Sequence, residues 1–547
     1  MVTDAVSVRP FGDRGLLVET DGLERVLALH ARLSSGRIDG VVDLVPAART
    51  VLVVVDPAVL PLTAARAWIA AAVADGTPAP ARTPRTVEIP VVYDGDDLAE
   101  AASLLEIRPA ELVRRHAAAR WTVAFTGFAP GFGYLVSPDW RFDVPRRARP
   151  RPRVPAGAVG LAGAFSGAYP RATPGGWQLI GTTSAPLFDP DAATPALLQP
   201  GDLVRFVPLS AASATPAVSA RPRLRTETSH AERGLGAPMV SHGRAAAPAG
   251  GRADADAAAI RVLAPGLLAT VQDQGRPGAL AAGVAVSGAA DRAALRTANR
   301  LVGTDENAAG IEITMGGFRA VREASASDDV WFAVAGAWGP VLLDGRPVDP
   351  YAAHRWPPGA ELRIDWFDHG ARGYLALRGG VEAARLWGSR ATDTLAGLGP
   401  SPLSADTALV VGDAVAGPLP ADDLRPWSPP GADLEVALAP GPRAHLVRTL
   451  APLFDAVWTV SAQADRVGIR LDGPGLERTD TAEIPSEGML PGAIQVPPDG
   501  RPVILGPDGP VTGGYPVVAV VTDADRDALG QARPGTRIRF RHARTVP

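Results

Sequence analysis

The chain is expected to be mostly β, with a small α/β part at its N-terminus, and to fold as two lobes joined by a flexible linker. Three observations carry that expectation. Short apolar runs bounded by Gly and Pro recur along most of the sequence. Alanine-rich helical stretches are confined largely to the first 120 residues. Residues 209–257 are rich in Ala, Ser, Pro and Gly and nearly free of aromatics. Such a segment buries too little apolar surface to offset its ordering entropy.

Taken in order, residues 1–85 form the α/β unit. Gly15–Glu19 and the β-branched Val51–Asp56 read as strands, and Ala64–Ala74 as a helix. Residues 86–208 form a second unit. It opens with a strand in TVEIPVVY, where Pro90 favours an edge or a bulge. Two helices follow, Asp97–Glu106 and Pro109–Ala119, the latter with proline at its first helical position. Val154–Leu161, Trp177–Ile180 and Leu203–Val207 then read as strands of a barrel or sandwich. After the linker, 258–547 repeats this texture, with strands at Ile260–Leu263, Val330–Ala335, Tyr374–Arg378, Leu434–Leu438, Val517–Val521 and Thr536–Arg541. One helix is expected near Ala290–Leu301, with Asp291 as its candidate cap. Met239, inside the linker, is either a chance residue or a relic start codon of two joined genes.

Composition excludes several chemistries. The 547 residues include no cysteine, which removes disulfides, thiolate metal sites and cysteine nucleophiles. They also include no lysine, so all 54 basic residues are arginine. A Walker A loop, a Schiff-base lysine and a biotinyl or lipoyl lysine are therefore absent. Net charge is −4, which argues against a nucleic-acid partner. No apolar run approaches the ~18 residues of a membrane span, and the first residues lack a signal-peptide core, so a cytoplasmic location is expected. The eight histidines are scattered, so no metal site is expected. No serine sits in a GxSxG elbow.

Four constellations stand out. Gly127–Leu135 (GFAPGFGYL) interleaves glycines with aromatics, which suits a pocket wall, and His116 lies eleven residues upstream. Arg146–Arg153 (RRARPRPR) places five arginines in eight residues, a dense prospect for binding carboxylate or phosphate. Thr270–Gly278 (TVQDQGRPG) is a polar turn cluster, followed by Ser287–Asp291, Asn299, Glu312 and Gly388–Arg390. Finally, Val154–Gly157 followed by Gly175-Gly176-Trp177 is echoed by Val496–Gly500 followed by Gly513-Gly514-Tyr515. Both could be generic barrel turns, or equivalent loops of two related barrels that face one another.

These motifs resemble a known family. His116, Gly127–Leu135, Arg151–Gly157, Pro174–Trp177 and Ile180-Gly181 resemble the allophanate hydrolase subunit 1 family, which includes the B subunit of 5-oxoprolinase and KipI. Val271–Gly278, Ser287–Asp291, Gly388–Arg390, Asp465–Leu471, Gly492–Pro497 and Thr512–Pro516 resemble the subunit 2 family, which includes the C subunit of 5-oxoprolinase and KipA. The resemblance implies cyclophilin-like β-barrels in both lobes. It implies an ATP- and magnesium-dependent opening of 5-oxo-L-proline to L-glutamate with a LamB/YcsF-family partner, the A subunit of 5-oxoprolinase. The nucleotide site would lie wholly or partly on that partner. The same module resembles the carboxyltransferase part of urea carboxylase, which would need biotin from elsewhere. A third implied role is non-enzymatic regulation of a histidine kinase. Homo-oligomerisation is left open.

The expected site is a pocket between the lobes, holding a small lactam or amide. His116 is the expected acid/base or polarising group, with Gln272, Asp273 and Arg276 contributing from the second lobe. Arg151 and Arg153 are expected to hold anionic groups of the substrate. Gly131, Phe132, Tyr134, Tyr169, Asp291, Arg390, Gln495 and Tyr515 complete the expected binding set. Three positions depart from the family pattern: Gly133 for proline, Ala158 for serine and Phe165 for glutamine. Loss of a hydroxyl and an amide near a pocket bears on specificity.

Overall fold

The computed structural model describes residues 6–75, 84–209 apart from positions 148, 150, 191 and 193, then 260–324, 330–420, 428–480 and 484–544, with the backbone of Leu224-Arg225. The expected linker, Met239 included, lies otherwise outside the described residues. Among the described residues no helix is long and apolar enough to cross a membrane.

The N-terminal unit is a four-stranded antiparallel sheet, ordered Ser7–Phe11, Gly15–Glu19, Thr50–Val55, Val41–Pro46, with helices Leu23–Ser35 and Leu62–Ala74. The first helix escaped the sequence reading because Gly22 precedes it without a side-chain cap. Its Val26, Leu29 and Leu33 are nonetheless spaced to bury one face. All six residues of Thr50–Val55 are buried, so the sheet has two apolar faces. Leu16, Val18, Val51 and Val53 meet the two helices. Phe11, Leu17, Leu52 and Val54 meet Met489, Leu490, Val517 and Val520 from the far end of the chain. Gly12 adopts φ +71° at this junction, and a Cβ there would stand 2.9 Å from Val520 Cγ1.

Two barrels share one strand order. The first runs Gln178–Thr182, Ala158–Ala162, Phe165–Ala168, Gly133–Val136, Trp121–Thr126, Leu203–Pro208, Thr86–Val91. The second runs Val517–Val521, Ala493–Gln495, Val503–Leu505, Gly468–Asp472, Val457–Val460, Arg537–His542, Asp433–Pro440. In each, the first strand in sequence pairs parallel with the last. Each has a satellite pair, Arg151–Val154 with Thr173–Gly175 and Glu487–Gly488 with Thr512–Gly513. Each has a tryptophan, Trp121 or Trp458, whose indole N–H donates to the carbonyl five residues upstream. The second barrel is closed by pairing of Leu438 with Val521. In the first, a single bridge from Val92 to Thr182 joins the edges. The Gly175-Gly176-Trp177 and Gly513-Gly514-Tyr515 turns of the motif echo thus mark equivalent positions, whereas Val154–Gly157 precedes Ala158–Ala162 and Val496–Gly500 follows the equivalent strand Ala493–Gln495.

The strand expected at Val154–Leu161 is two strands, because Gly157 takes φ +81° in a turn between them. Pro90 lies near an edge: among the described residues, only Leu224-Arg225 pair beyond its strand, with Val87 and Thr86. Between the lobes' barrels in sequence, residues 260–415 form a seven-stranded and a five-stranded sheet packed around Phe318, Phe332, Trp356 and Leu375. Helix Arg292–Leu301 lies on the second sheet, and the Asp291 side chain caps it by accepting from Ala294 N.

Arg443 links the N-terminal sheet to the second barrel. Its Nε donates to Glu487 Oε1 at 3.0 Å, and its Nη2 to Glu19 Oε1 at 3.2 Å. Arg443 and Glu487 are buried. Removing one partner strands a buried charge. Arg443→Ala is therefore expected to lower unfolding free energy by about 3–5 kcal/mol in urea titrations. Adding Glu487→Gln should recover part of that loss.

Candidate active site

A cavity of about 690 Å³ lies between the lobes. The first barrel supplies Phe125, Phe128, Phe132, Tyr134, Phe165, Tyr169 and Trp177, with Asp143, Arg146 and the Gly175-Gly176 turn. The second barrel supplies Thr512, Gly513, Gly514 and Tyr515, with Ile484–Ser486 from the approach to its satellite strand. Ala48, at the tip of an N-terminal hairpin, completes the wall, and its N–H donates to Ser486 O. The two Gly-Gly-aromatic turns therefore meet across one cavity.

The aromatic lining is mutually braced. Phe125 stacks on Tyr134 at 4.3 Å between centroids, and Phe132 sits edge-on to Tyr169 and Trp177 at 5.2 and 5.3 Å. Phe165 meets Phe125 and Tyr134 edge-on, so this departure from the family pattern lies on the cavity wall. Ala158 is buried in the cluster behind it. Burial pushes the Tyr169 hydroxyl pKa upward, which keeps it a neutral donor. The glycine loop is pinned from the other lobe. Phe128, at φ +65°, donates its N–H to Thr512 Oγ1 at 2.9 Å, and a Cβ on Gly127 would overlap the Thr512 side chain.

Of the expected residues, Phe132, Tyr134, Tyr169 and Tyr515 line this cavity. Gly131 shapes the turn behind it at φ +81°. Gln495 sits behind Gly513, its amide against Met489 Sδ. Arg151 does not reach the cavity: its Nη2 is paired with Asp97 Oδ1 at 2.6 Å. Arg153 is exposed and off the lining. The guanidinium at the cavity is that of Arg146, the first of the same arginine run. Arg146 lies before the strand Arg151–Val154, and composition alone does not reveal which arginine of the run reaches the cavity.

The second-lobe trio is also displaced. Gln272, Asp273 and Arg276 line no part of the large cavity. Gln272 Nε2 donates to Thr392 O at 3.0 Å, and Arg276 to Ala391 O. Asp273 accepts from Ser389 Oγ at 2.7 Å and from Arg390 N at 2.6 Å. Together they grip the loop Ser389–Asp393. Arg390 pairs with Glu382. Asp291 is a helix cap that also accepts from Gln531 Nε2, and burial raises its pKa to about 6.

His116 is in the core of the first barrel and has no surface exposure. Its Nδ1 lies 2.8 Å from Tyr93 OH and its Nε2 2.8 Å from Ser166 Oγ, with Phe206 stacked at 4.4 Å. Burial lowers its pKa to about 3, so it is neutral and structural at neutral pH, not an acid/base at the cavity.

This architecture has known relatives. The chain belongs to the carboxyltransferase-domain family: residues 6–198 match its subdomains C and D, and residues 282–542 its subdomains A and B. It is 35% identical over 290 residues to the C subunit of 5-oxoprolinase from Escherichia coli K12, covering 51% of this chain and 90% of that protein. It is 53% identical over 127 residues to the B subunit of 5-oxoprolinase from Escherichia coli O157:H7, covering 23% of this chain and 58% of that protein. Urea amidolyase of Lachancea kluyveri is 30% identical over 316 residues, 52% of this chain and 17% of that protein. The crystal structure of TTHA0988 superposes with a TM-score of 0.79 at 34% identity, covering 96% of this chain and 99% of that one. The chain thus joins, in one polypeptide, regions similar to the B and C subunits of 5-oxoprolinase.

The neutral His116 has a measurable signature. The unfolded chain takes up a proton near the ordinary histidine pKa, and the folded chain does not. Stability is therefore full above about pH 6.5 and is lost as pH falls toward 3. In urea titrations, the wild type should lose about 2 kcal/mol more than His116→Gln between pH 6.5 and pH 5.

Proposed function

We propose that this chain is the joined B and C part of an ATP-dependent 5-oxoprolinase that opens 5-oxo-L-proline to L-glutamate with a LamB/YcsF-type partner. The observation that carries this reading is the cavity between the lobes, an aromatic box with a guanidinium on its lining. A five-membered lactam is flat and apolar over most of its surface and bears one carboxylate. Its ring fits against Phe132, Tyr169 and Trp177, and its carboxylate pairs with Arg146. The Ser486 and Thr512 hydroxyls and the tyrosine hydroxyls supply hydrogen bonds to the ring amide.

A lactam is a resonance-stabilised, weak electrophile. Transfer of the ATP γ-phosphoryl group to its carbonyl oxygen makes that carbon open to water and gives it a leaving group. Water adds to that carbon, the C–N bond breaks with the nitrogen taking up a proton, and the resulting acyl phosphate is hydrolysed by a second water to glutamate and phosphate. The chain has no lysine for a P-loop, so we assign the triphosphate and magnesium to the partner. The cavity's role is to bind and orient the ring and to exclude water from it until transfer.

A second reading is carboxyl transfer, favoured by the similarity to urea amidolyase. It requires biotin carried on another chain.

Glutamate and ADP release from 5-oxo-L-proline with ATP and magnesium separates these readings. Turnover is expected only when this chain and the LamB/YcsF-type protein are both present. No turnover from a verified complex rejects the oxoprolinase reading. Arg146→Met should raise KM by about 10- to 100-fold with a smaller change in kcat, the loss of one charged hydrogen bond.

A further inference from the structure

A smaller cavity of about 190 Å³ adjoins the large one. Phe128 lines both, so its ring is a partition between them. The other walls are mostly apolar: Ala129, Pro130 and Pro174 from the first lobe, Leu395, Pro510 and Val511 from the second. Four polar side chains, Arg171, Thr173, Asp393 and Asp508, interrupt them. Arg171 Nη1, Thr173 Oγ1 and Asp393 Oδ2 are buried with no hydrogen-bond partner among the described residues. Asp393 is 1% exposed, and its other oxygen accepts from Ala396 N at 2.7 Å. Arg171 reaches across the lobe boundary, its Nη1 3.8 Å from where a Cβ on Gly397 would stand.

Buried polar atoms left unpaired cost about 1–3 kcal/mol each, so three at one cavity demand an explanation. The sequence motif around Arg276 points the same way. Gln272, Asp273 and Arg276 hold the loop that ends in Asp393, so that motif builds this cavity's wall.

We propose that the smaller cavity is a second ligand site, taking the amide or ureide group of a small neutral molecule. The guest's carbonyl accepts from Arg171 and Thr173, and its N–H donates to Asp393. A carboxylate would face Asp393 and Asp508, both on the lining. A cation would face Arg171. A wholly apolar guest would leave all three groups unpaired. Burial, reinforced by Asp508, raises the Asp393 pKa to about 6, so it is mainly ionised and accepting at pH 8. This site stands apart from the reading of the large cavity and does not depend on it.

The test is saturation-transfer NMR on the full chain at pH 8, with propionamide as probe and propionate as its charged counterpart. Arg171→Met removes the donor, and Val511→Trp fills the space without touching a polar group. Each should weaken propionamide binding about tenfold or more, while Arg146→Met, on the large cavity alone, leaves it within about twofold. Thermal melts establish that the variants are folded. Unchanged propionamide binding in folded Arg171→Met and Val511→Trp, or propionate binding as well as propionamide, overturns the proposal.

Discussion

The fold depends on one sheet with two apolar faces. The N-terminal sheet covers one face with its own helices and can cover the other only with the second barrel. At about 25 cal/mol per Å² of apolar surface, this burial helps hold the lobes together. Asp43 adds specificity to the same junction, accepting the N–H of Leu280 at 2.9 Å. Once the sheet is seated, the glycine loop of the first barrel meets Thr512 of the second, and the large cavity is enclosed. The cavity is therefore a product of lobe docking, not of either barrel alone.

Duplication of the barrel gives the cavity two equivalent turns with unequal side chains. Trp177 stands on one and Tyr515 on the other, and the arginine run flanks only the first. That inequality makes the two sides of a cavity built from matching parts chemically different. The intervening two-sheet unit has a different task. Its polar motif shapes a loop that closes the smaller cavity from the side.

Much of this was legible in the sequence, for identifiable reasons. Strands such as Val517–Val521 were visible because β-branched runs between turn residues have few alternatives. The Gly-aromatic turns were visible because few other residues tolerate their geometry. Tyr134, Tyr169 and Tyr515 were found with those turns. What was not legible was direction and depth. A histidine upstream of a glycine loop looks like chemistry, yet Tyr93, Ser166 and Phe206 enclose His116 from segments that sequence spacing does not bring together. Arg146 and Arg151 belong to one run, and only Asp97, from a distant helix start, determines which is engaged elsewhere. Ala48 and Ile484–Ser486 carry no motif and reach the cavity only through tertiary packing.

The docked sheet also has a consequence for synthesis. Its strands end at Val55. Leu280 and Ala285 cover part of its second face, and the barrel residues that complete the cover begin at Met489. At roughly 5–20 residues per second, the ribosome takes about 20–90 seconds to bridge that interval. For that time the face that carries Leu52 and Val54 lacks most of its cover, and the nascent chain must be shielded there by other means. Joining the two halves fixes their stoichiometry at one to one, but it leaves the earliest-made surface waiting for the last-made barrel.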